Sequence, residues 1–412
     1  MFTSFSTALS ALSAHSTAVD VVANNLANLN TIGFKANALT FYDQVSAAFG
    51  SGDTQIGFGV RRPVTSRQFT QGAVQSTNSA LDAAIQGDGF LIVRTPAGGL
   101  LYTRAGSLSV DRDGNLLTGK GQQVQGWSEK NGTLTSNGPI GPIVVPVGTI
   151  RPPKASTSFS FDMNLNAAAT AGPPPDTFNT SIQVFDTLGS PIVATVNLVK
   201  SATPNAWDYS ISIPDSVVAS PVTPVTGTLT FGAGGILVTP AVTDPPPALA
   251  VTGLLNGAQP MNLAWNLYNG AAPRITQFTA SSAVAANAQD GNPAAQLTQV
   301  RLADGGRIVA TYSNGQPQVV GQLAMASIRN PESLLAVGDN SFQLSARSAL
   351  PAIGEPNTGS RGGILGSALE SSTVDIAREF TNLIVFQRGY QANTRVVTTT
   401  DEISQETINL KR

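Results

Sequence analysis

Few residues in this sequence have the types and spacing needed for chemistry. Gly114-Asn115-Leu116-Leu117-Thr118-Gly119-Lys120 has the G-x-x-x-x-G-K spacing of a phosphate-cradling loop. In such a loop backbone N–H groups hold the phosphates and the lysine reaches the terminal ones. Here the next residue is Gly121, so the hydroxyl that would hold Mg²⁺ is missing, and no helical pattern opens after Lys120. A turn followed by a strand accounts for the run better. His15, the one histidine, lies on an apolar stripe with no Ser or Asp partner in its own segment. It reads as a packing or interface residue rather than a base. Nothing selects a pair among the 25 Asp and Glu for paired-carboxylate hydrolysis. Without Cys there is no disulfide, thiolate nucleophile or Cys-ligated zinc or iron–sulfur site, and one His builds no His-rich cage. The expectation is a chain with no catalytic site, no metal and no cofactor.

The composition narrows the remaining options. Charged residues make up 12% of 412, about half the usual share. The net charge is −2 and the basic residues form no run, which argues against electrostatic nucleic-acid binding. No stretch approaches the ~18 apolar residues of a membrane-spanning helix, so no membrane insertion is expected. The first basic residue is Lys35, so the basic segment that opens a secretory signal is missing. The chain is expected either to be cytosolic or to leave the cell without a cleaved signal.

The elements that must position any site differ between the ends and the interior. Phe5, Leu12, Val19 and Leu26 recur every seven residues, and Ala8, His15, Val22 and Leu29 follow three behind. Near the other end Leu369, Ile376, Leu383, Tyr390 and Val397 recur every seven, with Phe380 in a companion register. Both patterns are heptads of the coiled-coil type. They predict an N-terminal helix of about 25 residues, stopped near Asn28 to Asn30 and Gly33, and a C-terminal helix of nearly 40 residues. Ser372 followed by Asp375 predicts a capping box at the start of the second. The two helices are expected to pair with each other and with neighbouring subunits. Gly389 inside the second helix costs about 1 kcal/mol relative to Ala, so that helix should depend on packing.

The interior reads as β structure. Phe90–Arg94, Leu100–Thr103, Ser107–Asp111 and Gln122–Trp127 are short apolar runs, with Asp113-Gly114 as a hairpin signal. Asp304-Gly305 and Asn314-Gly315 separate three more runs between Leu297 and Met325. From Ala155 to Val300 only nine residues are charged (seven Asp, one Lys, one Arg), and Thr180–Lys200 alternates around Leu188-Gly189-Ser190-Pro191 as a hairpin. The fold class is therefore multidomain and mainly β, with long terminal α-helices and discontinuous, nested domains. Residues 1–33 and 366–412 form the terminal-helix domain, 34–150 and 296–365 an inner β domain, and 151–295 an inserted outer β domain.

Several stretches carry a resemblance. NNLANLNTIGFK (24–35) is similar to the N-terminal signature of the bacterial flagellar rod and hook axial proteins. LESSTVDIAREFTNLIVFQRGYQANTRVVTTTDEI (369–403) is similar to its C-terminal partner. TQGAVQSTNSALDAAIQGDGFLIV (70–93) and YTRAGSLSVDRDGNLLTGKGQQVQGW (102–127) resemble the family's shared β domain. VFDTLGSPIVATVNLVK (184–200), Trp207 and the segment 311–342 resemble its hook-type members.

The resemblance implies a structural subunit of the hook that stacks into a curved helical tube acting as a universal joint. A distal rod subunit and a secreted β-rich adhesin stand as alternatives. The implied partners are the chain itself, the distal rod protein, the hook–filament junction protein, the hook cap and the flagellar type III export apparatus. The implied location is extracellular, in the flagellum, reached without a cleaved signal peptide. The implied coiled-coil seam, lining the channel, is Phe5, Leu12, Val19, Val22, Leu26 and Leu29 with Leu369, Ile376, Phe380, Leu383, Tyr390 and Val397. The signature positions are Asn24, Asn25, Asn28, Gly33, Phe34 and Lys35, with Gln387, Arg388 and Tyr390. Phe41 and Val45 match a short Phe-x-x-x-hydrophobic element linked to the export gate in that family.

Overall fold

The computed structural model describes residues 2–45, 57–129 and 133–409. It divides into two compact units: residues 1–147, 299–311 and 317–412, and residues 148–298 with 312–316.

Two helices occupy the ends of the first unit. Helix α1 spans Phe2–Ala27 and α2 spans Ile376–Asn409, about 39 and 51 Å at 1.5 Å per residue. The start of α2 differs from expectation. Leu369 lies in a strand, Ala368–Glu370, paired with Val74–Ser76. The cap is Asp375, whose Oδ1 accepts the Arg378 N–H at 3.1 Å, whereas Ser372 Oγ accepts the Val374 N–H ahead of the helix. The capping chemistry was anticipated, one turn too early, because both residues have side chains suited to it. Leu29 likewise falls in the turn after α1.

After α1 the chain forms an antiparallel pair, β1 (Asn37–Val45) and β2 (Gly57–Arg67), and α1 packs on β2. The body of the unit is an antiparallel sheet in the order Arg307–Tyr312, Pro317–Leu323, Gln123–Ser128, Phe90–Arg94, Leu100–Thr103, Ser341–Gln343, Leu335–Gly338. Its core gathers Phe90, Ile92, Tyr102, Trp127, Ile328 and Phe342. The G-x-x-x-x-G-K run becomes a turn with Gly114 at φ +86° and a short strand, Leu116–Thr118, closing a hairpin with Leu108–Val110. The context a phosphate loop requires is absent there.

The second unit holds two five-stranded sheets. One is a sequential antiparallel meander, Thr177–Phe185, Pro191–Lys200, Ala206–Ser212, Val225–Phe231 and Leu237–Thr239. The other is built around Ser158–Asn166. Pro191–Lys200 alternates exposed and buried along its length, as a half-buried strand must. The inward residues of both sheets, including Phe159, Phe161, Trp207 and Trp265, form one core.

Candidate assembly interface

α1 and α2 run antiparallel. Asn25 meets Glu379, and His15 meets Gly389, so ten residues down one helix match ten residues up the other. The buried line of α1 is Ala8, Ala14, Ala18, Val22 and Asn25. Small side chains dominate it, which lets backbones approach closely. Phe5, Leu12, Val19 and Leu26 sit to one side, half-buried or exposed. Val22 is therefore the member of the anticipated seam that is fully buried on α1.

On α2 the inward line is Glu379, Asn382, Leu383, Phe386, Gly389, Asn393 and Val397, of which Leu383 and Val397 were anticipated. Tyr390 borders it and is exposed. Ile376 and Phe380, assigned to the seam from spacing, are exposed. At about 100° per residue, Ile376, Phe380 and Ile384 form a stripe on one flank of the inward line. Val385, Val396 and Ile403 form another on the opposite flank, and all six are exposed. Gln387 and Arg388 are exposed as well. α2 thus presents three faces: one against its own chain and two apolar flanks.

An aromatic cluster braces the pair. The His15 ring lies 5.7 Å from Phe41 and 6.2 Å from Phe386, and those two are 5.9 Å apart. Phe41, one half of the export-gate element, is thereby a packing residue of β1, and the side chain of Val45 lies outside the described residues. Gly389 faces this cluster, where a Cβ would come within 2.6 Å of His15 Cε1.

The signature residues at the end of α1 strap the helix to the body. Asn25 is fully buried. Its Nδ2 donates to the Asn37 carbonyl at 2.9 Å and to Glu379 Oε1 at 3.3 Å, and its Oδ1 accepts the Asn37 N–H at 2.9 Å. Asn28 Nδ2 donates to the Asn24 carbonyl, and Thr31 Oγ1 donates to Asn28 Oδ1. Gly33 turns at φ +68° and its N–H donates to the Glu370 carbonyl at 2.8 Å; a Cβ there would lie 2.8 Å from the Arg104 carbonyl. Phe34 is buried, and its carbonyl accepts the Thr373 N–H.

Lys35 is fully buried and donates to Glu370 Oε1 at 2.7 Å and to the Thr70 carbonyl at 2.5 Å. Glu370 also accepts the Gly72 N–H at 2.7 Å and lies 3.5 Å from Arg104. Burial pushes the Lys35 ammonium below its usual pKa, with the Glu370 hydrogen bond acting against that. The segments entering and leaving the helix pair therefore share one buried knot in which a single carboxylate serves two cations. Glu370, Arg104 and Glu379 were not anticipated as site residues. They carry no local periodicity, and their partners stand far away in sequence.

Asn25→Ala should destabilise the first unit by about 1–3 kcal/mol, because it strips the Asn37 backbone and Glu379 of partners. Chemical denaturation measures the loss, and amide exchange at Asn37 should rise with it. Unchanged exchange there would contradict the strap.

Four domain families match the chain in order. "Flagella basal body rod protein" matches residues 5–35, and "Flagellar hook protein FlgE/F/G D1 domain" matches 84–164. "Flagellar basal body protein FlaE D2 domain" matches 160–292, and "Flagellar basal body rod FlgEFG protein C-terminal" matches 365–410. The Flagellar hook protein FlgE of Escherichia coli K12 is 31% identical over 417 residues, covering 99% of this chain and 100% of that one. The protein of the same name from Borreliella burgdorferi is 32% identical over 448 residues, covering all of both. The crystal structure of Helicobacter pylori flagellar hook protein FlgE2 shares the fold, with a TM-score of 0.52 at 14% identity, over 72% of this chain and 100% of that one.

Proposed function

This chain belongs to the flagellar hook protein FlgE family and is a structural subunit of the flagellar hook, and we propose from that premise that its terminal helices are the polymerising element. The observation carrying the reading is the pair of exposed apolar flanks on α2, one on each side of the face that meets α1. A helix with two unspent apolar stripes is suited to neighbours on both sides, as in a ring of helices around a channel. Copies joined by such a heterologous contact build an open helical tube rather than a closed dimer.

In this reading the helices become a coiled-coil lining of the channel. The tube is curved and transmits torque as a universal joint. The second unit carries few fixed ion pairs, Lys154–Asp290 and Arg274–Asp162 among the described residues, so contacts between copies can shift without breaking many charges. The chain acts as a scaffold, without catalysis or a cofactor. It leaves the cell through the flagellar type III apparatus without a cleaved signal, and meets the distal rod protein, the hook cap and the junction protein. No helix among the described residues is long and apolar enough to cross a membrane.

Phe380→Asp combined with Ile384→Asp places two charges on one flank without touching the α1 contact. The subunit should keep its melting temperature within a few degrees and lose polymerisation, read by sedimentation and electron microscopy. Normal tubes from this variant would overturn the reading.

A further inference from the structure

A cavity of about 560 Å³ opens beside the C-terminal end of α1, with Asn24, Asn28, Arg67, Lys120 and Asn340 in its wall. Lys120 Nζ lies 3.0 Å from Asp339 Oδ1, so its charge is matched. Arg67 differs. Among the described residues its guanidinium has no ion-pair or hydrogen-bond partner. It lies over the Phe342 ring, 4.9 Å from the centroid, and that ring is braced edge-on by Phe69 at 5.4 Å and Phe90 at 5.9 Å. Burial lowers its pKa, yet a guanidinium stays charged. A half-buried planar cation over an aromatic ring in the wall of a cavity, with no partner among the described residues, is suited to take a carboxylate in a two-pronged contact.

The chain carries a matching group at its far end. Asp401, Glu402 and Glu406 are exposed on the last part of α2, and none forms an ion pair among the described residues. The helix register places them beside the start of α1, whereas the cavity lies at the level of Asn24 and Glu379. Asp401 is 22 residues beyond Glu379, about 33 Å at 1.5 Å per residue. While the helices are paired, one chain cannot bring its own acids to its own cavity.

We infer that the Arg67 cavity receives the acidic stretch Asp401 to Glu406 of α2 from a second copy of this chain. Repeated in one direction from copy to copy, such an end-to-end contact is heterologous and propagates along a stack, whereas the reciprocal arrangement would close a two-fold dimer. The inference rests on the polymerising reading above and adds a second, charged contact to the apolar flanks.

The test uses the full chain and its critical concentration for polymerisation. Arg67→Glu alone should raise that concentration about tenfold or more. The reversed acids (Asp401→Lys, Glu402→Lys and Glu406→Lys together) should do the same. The chain carrying both sets should recover most of the loss. The milder Arg67→Gln should give a smaller rise and make polymerisation insensitive to neutralising the three acids, the non-additivity expected of a direct pair. Circular dichroism of each monomer checks the fold. Additive losses with no recovery, in chains that remain folded, would overturn this inference alone. Loss of Arg67 function reproduced by inorganic phosphate, with the acid variants assembling normally, would also overturn it in favour of a small-anion site. Failure of the unaltered chain to polymerise would overturn the assembly reading and this inference with it.

Discussion

Glu370→Gln should destabilise the first unit by about 3–5 kcal/mol, measured by urea unfolding followed by circular dichroism. The substitution keeps size and shape, removes the charge and turns one acceptor oxygen into an amide donor. Lys35 and Glu370 both have fully buried side chains and Arg104 nearly so, so solvent screens little of what is lost. Two cations would then share a dry site without a carboxylate, and breaking a buried pair costs far more than the pair contributes in net stability. Replacing Lys35 by Met in the same chain should recover part of the loss, because one stranded charge disappears.

The pH dependence has a definite sign. Lys35 titrates below its ordinary 10.5 when folded, so in the alkaline interval below 10.5 the unfolded chain holds more protons and stability rises with pH through this group. Glu370→Gln removes a contact that raises the Lys35 pKa and should widen that interval. A loss under 1 kcal/mol would mean that the knot is wetter than its geometry indicates.

Gly389→Ala should separate two opposed effects. In an isolated helix the exchange stabilises by about 1 kcal/mol. Here the new methyl would stand 2.6 Å from His15 Cε1 and 2.7 Å from Nε2, with the ring flanked by Phe41 and Phe386. Overpacking of this kind costs roughly 1–3 kcal/mol. The variant is therefore expected to loosen the helix pair despite its better propensity, read as faster amide exchange in α2 and a lower melting temperature. His15→Ala in the same chain makes room for the methyl, and the double variant should hold α2 more firmly than Gly389→Ala alone. A stabilised Gly389→Ala single variant would show that the ring moves aside freely.

Much of the architecture was legible because it is written in local patterns. Turn dipeptides such as Asp113-Gly114 and Asn314-Gly315, alternation along Thr180–Lys200, and seven-residue repeats at both ends each report a local geometry. The heptads located the helices, and the tertiary structure divided their apolar positions between the α1–α2 contact and the open flanks. Ile376 and Phe380 share the spacing of buried residues and lie on the outer flank, while the inward line includes Glu379, Gly389 and Asn393. Periodicity identifies a face, and the residues that occupy the contact depend on the rotation of one helix against the other. The signature residues near Lys35 were legible only as a pattern of letters. The physical role of Lys35 rests on Glu370, 335 residues away.

By itself, then, the sequence determined the kinds of element, their order, the scarcity of charge in the inserted segment, and the lack of thiols. Those follow from composition and short-range periodicity, which act over a few residues. The tertiary structure alone decided which charges are buried together, which apolar stripes on α2 are left open, why residue 389 has no side chain, and that Arg67 has no ion-pair partner among the described residues where it lines a cavity. Each of these depends on groups distant in the chain being brought within a few ångströms, and no local pattern encodes that distance.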